Sequence, residues 1–101
     1  MNKFDFIKND VFTSPVRLTI MLVLLNYKSI SLKDLRKVLE IIPGNLDHHL
    51  LSLEREGYII KRKSLTTGNL SMMVTITKKG ERDFKKYLSN LRDVLSKFKL
   101  D

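Results

Sequence analysis

The 101-residue sequence has no cysteine, no tryptophan, two prolines and four glycines. Without cysteine there is no disulfide, thiolate metal site, iron–sulfur cluster or cysteine nucleophile, and the chain fits a reducing compartment. So little proline and glycine leaves scant room for flexible linker and sets aside collagen-like and low-complexity classes. Long apolar runs are missing too. The longest, Leu18 to Leu25, is interrupted by Thr19 and falls far short of the roughly 18 residues a membrane span needs. Near the amino-terminus, Asp5 and Asp10 interrupt the apolar Phe4, Phe6 and Ile7, so no signal-peptide core is evident; the expectation is a cytoplasmic protein with no membrane partner. Acidic residues are the other deficit. Asp and Glu number 11 against 19 Lys and Arg, a net charge of +8, which favours a polyanionic partner, nucleic acid first. No phosphate loop, dinucleotide fingerprint or nucleophile–base–acid set is present, so neither an enzyme nor a cofactor is expected.

What remains is a pattern of short helices and one β-rich stretch, within the length of a single domain spanning 1–101. Ser14-Pro15 is a helix start, because serine caps free amides and proline suits the first helical position. The helix runs to about Tyr27. Val16, Ile20, Val23, Leu24 and Tyr27 form its apolar stripe, which Met21, Leu22 and Leu25 broaden into a central, buried helix. Ser31 caps a second helix to about Glu40, with Asp34 three residues on and Leu32, Leu35, Val38 and Leu39 facing inward. Pro43 forces Ile42 out of helical geometry, so Ile41-Ile42-Pro43-Gly44 is a short connection. A third helix then spans about 43–57, with Leu46, Leu50 and Leu53 on its inner face and Gly57 as its stop. Asn45, Asp47, His48, Ser52 and Arg55 are left on the outer face. Two β-prone runs, from Tyr58 to Lys63 and from Leu70 to Ile76, flank a hairpin tip at Thr66-Thr67-Gly68-Asn69. Thr77 caps a final helix to about Lys97, in which Phe84, Leu88, Leu91, Leu95 and Phe98 alternate spacings of four and three, the rhythm of a helix–helix seam. An extra helical turn or arm is expected around Phe4 to Phe12. The fold class is therefore mainly α with a small β-hairpin (α+β), in the order of a winged helix-turn-helix with a long carboxy-terminal helix. Residues 14–76 are expected to form the helix-turn-helix and wing, and 1–13 with 77–101 dimerisation segments, the alternative being that the first helix covers the Phe84–Phe98 seam within one chain.

Charge is unevenly placed. Between Lys61 and Lys86 stand eight basic residues (Lys61, Arg62, Lys63, Lys78, Lys79, Arg82, Lys85, Lys86) and two acidic ones, Glu81 and Asp83. Such a stretch can neutralise phosphates, with steep salt dependence, or can be a solvated surface. Lys78 and Lys79 fall in the first turn of the last helix, where the helix dipole disfavours cations and a bound phosphate would reverse that cost. Asp47 repels phosphate but accepts from a cytosine amino group; it also suits the start of a helix. His48 and His49 diverge by about 100° on a helix and lack a third His or a Cys, which argues against metal. His48 is expected in the groove and His49 in packing. Met21, Met72 and Met73 would suit an adaptable effector pocket, although methionine more often fills core gaps, so a small-molecule effector has no support.

From Ser14 to Leu88 the sequence resembles small single-domain winged-helix transcriptional regulators related to the MarR and ArsR groups, of the archaeal and bacterial kind. The likeness lies in SPVRLTIMLVL at 14–24, GNLDHHLLSLEREGYI at 44–59, MVTITKKGER at 73–82 and the helix that follows. It implies a homodimer on double-stranded DNA, with the third helix in the major groove, the 58–76 wing on the backbone or minor groove, and the terminal helices joining two protomers. By position, Asn45, Asp47, His48, Ser52 and Arg55 would line the groove, Lys61, Arg62 and Lys63 would form the basic part of the wing, Lys78 and Lys79 would meet phosphate, and Arg17 would sit near a phosphate or support helix packing. Phe4, Ile7, Phe12, Phe84, Leu88, Leu91, Leu95 and Phe98 would supply the dimer interface. Three departures stand out. Leu51 and Ser52 occupy positions often basic in relatives, Ile42-Pro43 replaces a polar cap, and the wing tip is neutral where many relatives carry arginine. These departures keep open a protein–protein interaction module within a larger assembly, and a sequence-blind architectural DNA binder.

Overall fold

The computed structural model describes residues 4–8, 10–40, 43–66 and 68–98. A 3-10 turn (Asp5–Lys8) and a one-turn helix α1 (Asp10–Thr13) form an amino-terminal arm. There follow α2 (Pro15–Tyr27), β1 (Ser29–Ser31), α3 (Leu32–Leu39), α4 (Pro43–Arg55), β2 (Ile59–Thr66), β3 (Asn69–Ile76) and α5 (Lys78–Leu95). The helix-turn-helix is α3 and α4, and the wing is the β2–β3 hairpin. The connection at Ile41-Ile42 and Thr67 of the wing tip lie outside the described residues.

Local chemistry explains most boundaries. The Ser14 hydroxyl accepts from the Arg17 amide at 3.3 Å and that of Ser31 from the Asp34 amide at 3.0 Å, so both starts carry a side-chain cap. The carboxy-terminus of α4 closes as a Schellman motif: Gly57 at φ +76° donates to the Glu54 carbonyl at 2.9 Å, and Tyr58 donates to that of Leu53 at 3.0 Å. Only this left-handed residue lets the chain leave α4 straight into the wing. Thr77 joins two elements. Its hydroxyl accepts from the Gly80 amide at 2.9 Å, capping α5, and donates to the Gly57 carbonyl at 2.6 Å.

The core lies where α2, α4, the base of the wing and α5 meet. Ile20, Met21, Leu24, Leu35, Leu46, Leu50, Leu53, Ile59, Val74 and Phe84 have almost no exposed surface. Antiparallel pairing sets Ile59 opposite Ile76, Lys61 opposite Val74, Lys63 opposite Met72 and Leu65 opposite Leu70. Alternation along the strands places these pairs on the face that is buried at the wing base, while Arg62 and Met73 share the opposite face.

Several sequence expectations are revised. The sheet has three strands in the order β1-β3-β2, not a hairpin alone; Ile30 pairs with Val74, and the Ser29 and Thr75 hydroxyls meet at 2.8 Å. Three residues are too few to show a strand period, and Ser31 reads equally well as a helix cap. Helix α5 ends at Leu95 rather than Lys97. Val38 and Tyr27, expected to face inward, are exposed, as is Leu22, so α2 is central but not apolar-packed all round. The methionines do not line one pocket. Met21 is in the core, whereas Met72 and Met73 point from opposite faces of β3.

Phe12 and Phe84 are not interface residues. Both are fully buried within the protomer: the Phe12 ring stacks on Tyr58 at 4.8 Å between centroids and meets Phe84 edge-on at 5.2 Å. A side chain with no exposed surface has nothing to offer a partner. What they do instead is fasten the amino-terminal arm to the wing base and α5, and Phe6 extends that cluster to Tyr87 at 5.4 Å.

Candidate nucleic-acid interface

Burying Leu46, Leu50 and Leu53 turns the rest of α4 outward. Asn45, Asp47, His48 and Arg55 are exposed and Ser52 is half-exposed, so the five groove candidates share the outward side of one helix. Leu51 joins them, 40% exposed. Ser52 is partly committed, since its hydroxyl donates to the His48 carbonyl at 3.2 Å. The surface offers amide, carboxylate, imidazole, guanidinium and one branched alkyl group, a set suited to reading base edges rather than gripping phosphate.

The wing stands beside this face. Lys61 approaches Glu54 of α4 at 3.9 Å, which ties the hairpin to the helix end. Strand alternation divides the three basic residues: Lys61 and Lys63 lie on the side shared with the core, and Arg62 on the other. Arg62 and Lys63 are exposed and Lys61 is half-buried. Alternation was legible in the sequence and would have predicted this division, which sets Arg62 apart from Lys61 and Lys63.

Other charged candidates have structural employment. Arg17 donates from Nε to the Val11 carbonyl at 2.7 Å and from Nη1 to His49 Nδ1 at 3.0 Å. Of the two roles expected for it, the packing role is the one the contacts display. Because guanidinium only donates, the His49 Nδ1 must be unprotonated; burial first, then the Arg17 charge and the His48 ring, depress the His49 pKa. Lys79 donates to the Glu56 carbonyl at 2.8 Å and its ammonium stands 5.4 Å from the Tyr58 ring centroid. It thus places a cation at the carboxy-terminal end of α4, where the dipole welcomes one. Lys78 is exposed. Glu81 accepts from Lys28 at 2.7 Å and pairs with Lys85 at 3.0 Å, and these two hydrogen bonds hold its carboxyl below the usual range. It also supplies negative charge to the first turn of α5, offsetting Lys78 and Lys79 locally.

Exposed apolar residues occupy two further places. Phe4, Ile7, Leu95 and Phe98 are exposed at the chain's two ends, and Leu88, Leu91, Leu95 and Phe98 line a shallow groove along α5 with Arg92 and Ser96. At the wing tip, Leu65 and Leu70 are 72% and 64% exposed; neither was singled out from sequence as a surface feature. Among the described residues no group of three or more His, Cys, Asp or Glu could hold a metal ion, and no helix is long and apolar enough to cross a membrane.

A three-helix core in which α4 turns its polar side outward, together with a two-stranded wing, defines a winged-helix protein. The chain belongs to the winged helix DNA-binding domain family, which matches residues 16–95, and the resemblance carried by residues 14–88 is thereby borne out. It is similar to an uncharacterised protein of Methanocaldococcus jannaschii, 35% identical over 78 residues, which cover 77% of this chain and 85% of that one. The structure of a transcriptional regulator homologue from Pyrococcus horikoshii superposes with a TM-score of 0.88 at 34% identity, covering 95% of this chain and 96% of the other. An ArsR family transcriptional regulator shares the fold with a TM-score of 0.57 at 15% identity, over 96% of this chain and 94% of its own.

Proposed function

We propose that this protein is a homodimeric, sequence-specific DNA-binding transcription regulator and acts by binding, not catalysis. The observation that carries the reading is the placement of a polar, solvent-facing α4 next to an exposed basic wing, held together through Lys61 and Glu54. Helix α4 enters the major groove with Asn45, His48 and Arg55 reaching base edges. Asp47 accepts from a cytosine amino group, and Leu51 meets a thymine methyl. Arg62 and Lys63 contact the backbone, and Lys78 supports them. The similarity to the Pyrococcus horikoshii transcriptional regulator homologue, at 34% identity and nearly full coverage, supports the regulatory role.

Dimerisation completes the reading. The α5 groove with Leu88, Leu91, Leu95 and Phe98, together with Phe4 and Ile7, supplies apolar surface that a second protomer would cover, setting two α4 helices about 34 Å apart, one turn of DNA.

The test is fluorescence anisotropy of a mixed-sequence duplex, and of fragments upstream of the protein's own coding region, across salt concentrations. Affinity falling linearly in log salt is expected, with Lys61, Arg62 and Lys63 jointly changed to Glu abolishing binding. Failure of the unaltered protein to bind any duplex at low salt, with capture of one stoichiometric protein partner, would select the interaction-module reading instead. Uniform affinity across unrelated duplexes would select the architectural one.

A further inference from the structure

The distal half of the wing has no core beneath it. Beyond the Lys61–Val74 pair the hairpin continues through Lys63–Met72 to Leu65–Leu70, and these two leucines stand directly opposite one another on one face, more than half exposed. Isolated exposed leucines are ordinary. A cross-strand pair at the end of a projecting hairpin is a compact apolar knob, and its setting is chemically one-sided. From Ile59 to Thr77 the sequence has no acidic residue, and Arg62 and Lys63 are exposed immediately behind the pair. A protein partner would need an acidic surface to meet that collar. A duplex brings phosphates to the collar and stacked bases and sugar C–H groups to the knob.

We propose that the Leu65–Leu70 pair is an apolar wedge that enters the minor groove beside the site read by α4, selecting DNA steps that unstack easily. The proposal rests on the DNA-binding reading above and adds a specificity element to it. The minor groove, about 6 Å wide, is too narrow for a two-stranded ribbon, so only the side chains at the tip enter. Entry opens the groove and loosens the stack between adjacent bases. That deformation is least costly at pyrimidine–purine steps such as TA and CA. The neutral tip, lacking the arginine that a narrow A-tract groove attracts, is consistent with a wing that widens the groove rather than one that reads its narrowness.

Salt separates this contact from its neighbours. Apolar contacts release no counterions, so their loss weakens binding equally at every salt concentration, whereas each lost phosphate contact lowers the salt slope by about one. The full-length protein and the variant Leu65→Ser/Leu70→Ser are each titrated against a randomised duplex pool of about 30 base pairs, long enough for two half-sites, and the bound sequences are read. The unaltered protein is expected to enrich TA or CA steps at a fixed distance from its half-site. The variant keeps the half-site, loses that enrichment and binds about tenfold more weakly with the same salt slope. Its thermal unfolding is unchanged, because the pair lies outside the core. Equal affinity and equal enrichment in the two proteins would overturn the wedge while leaving DNA binding in place. A variant whose loss of binding accompanies dissociation into monomers, seen by sedimentation, would overturn it in favour of a protomer contact. Absence of duplex binding by the unaltered protein would overturn both readings.

Discussion

Arg17 and His49 show how a single polar contact positions a helix. Leu46, Leu50 and Leu53 fix which face of α4 is buried, but apolar contacts tolerate small rotations; the 3.0 Å bond from Arg17 Nη1 to His49 Nδ1 adds a directional restraint between α2 and α4. It holds only while His49 is neutral. The folded state binds the His49 proton more weakly than the unfolded chain, since burial, Arg17 and the His48 ring all oppose the charge. Above a pH of about 6.5 the imidazole is neutral in both states and the contact contributes fully. As pH falls below that, the unfolded chain takes up the proton first, so stability declines until pH has dropped through the lowered folded value, and then levels off. Urea unfolding between about pH 7.5 and pH 5 should show this decline in the natural protein, and His49→Asn, which keeps an acceptor near the Nδ1 position but does not titrate, should remove it. An identical slope in the two proteins would show that other groups govern this range.

At the scale of elements, the starts of α2, α3 and α5 and the stop of α4 were legible because each depends on one residue acting within a turn of itself: Ser14, Ser31, Thr77 and Gly57. The inner face of α4 was legible for the same reason of regular spacing. Strand β1 was not, since its three residues exist as a strand only because β3 lies beside them. Nor was the division of aromatic residues between core and surface. Phe12 and Phe4 look alike in sequence, and only the folded arm shows that Phe12 meets Tyr58 while Phe4 is left outside. The outward placement of Asn45, Asp47, His48, Ser52 and Arg55 on α4 was legible from spacing, but the engagement of Arg17 and Lys79 depends on partners distant in sequence and could not be read from it. At Gly80, α5 and the residue leading into the wing meet closely. A Cβ there would overlap the Tyr58 carbonyl oxygen and crowd the rest of that backbone, so α5 packs directly on the strand entering the wing. Gly80→Ala is expected to cost about 1–3 kcal/mol, as overpacking does, measured by chemical denaturation, with weakened DNA binding because the wing base must shift. A stability equal to that of the natural protein would show that α5 can slide away without loss.

For the whole molecule, the distribution of surface types is what supports the proposed dimer. Exposed basic groups are spread over α3, the wing and α5, polar groups cover the outer side of α4, and Leu88, Leu91, Leu95 and Phe98 form an apolar groove along α5. Replacing Leu95 and Phe98 together by arginine alters only exposed positions, so thermal unfolding of the protomer fold should survive while the sedimenting mass falls to that of the 11.8 kDa chain. DNA affinity should fall with it, because a single protomer presents one α4 and half of the phosphate contacts. A dimeric mass unchanged by the double substitution would move the proposed interface elsewhere, and an unaltered protein that already sediments at 11.8 kDa would overturn the dimer.

Tyr58 gathers these scales into one point. Its amide closes α4, its carbonyl accepts from the Thr77 amide at 3.0 Å, its ring lies against Phe12 of the arm, and Lys79 of α5 stands over that ring. The residue therefore acts as a mechanical pivot pin driven through four parts. In the proposed dimer, a rotation of one protomer against its neighbour, applied at the arm and the end of α5, would reach the wing and α4 through this residue. The spacing and tilt of the two α4 helices would then change together with the way the protomers meet.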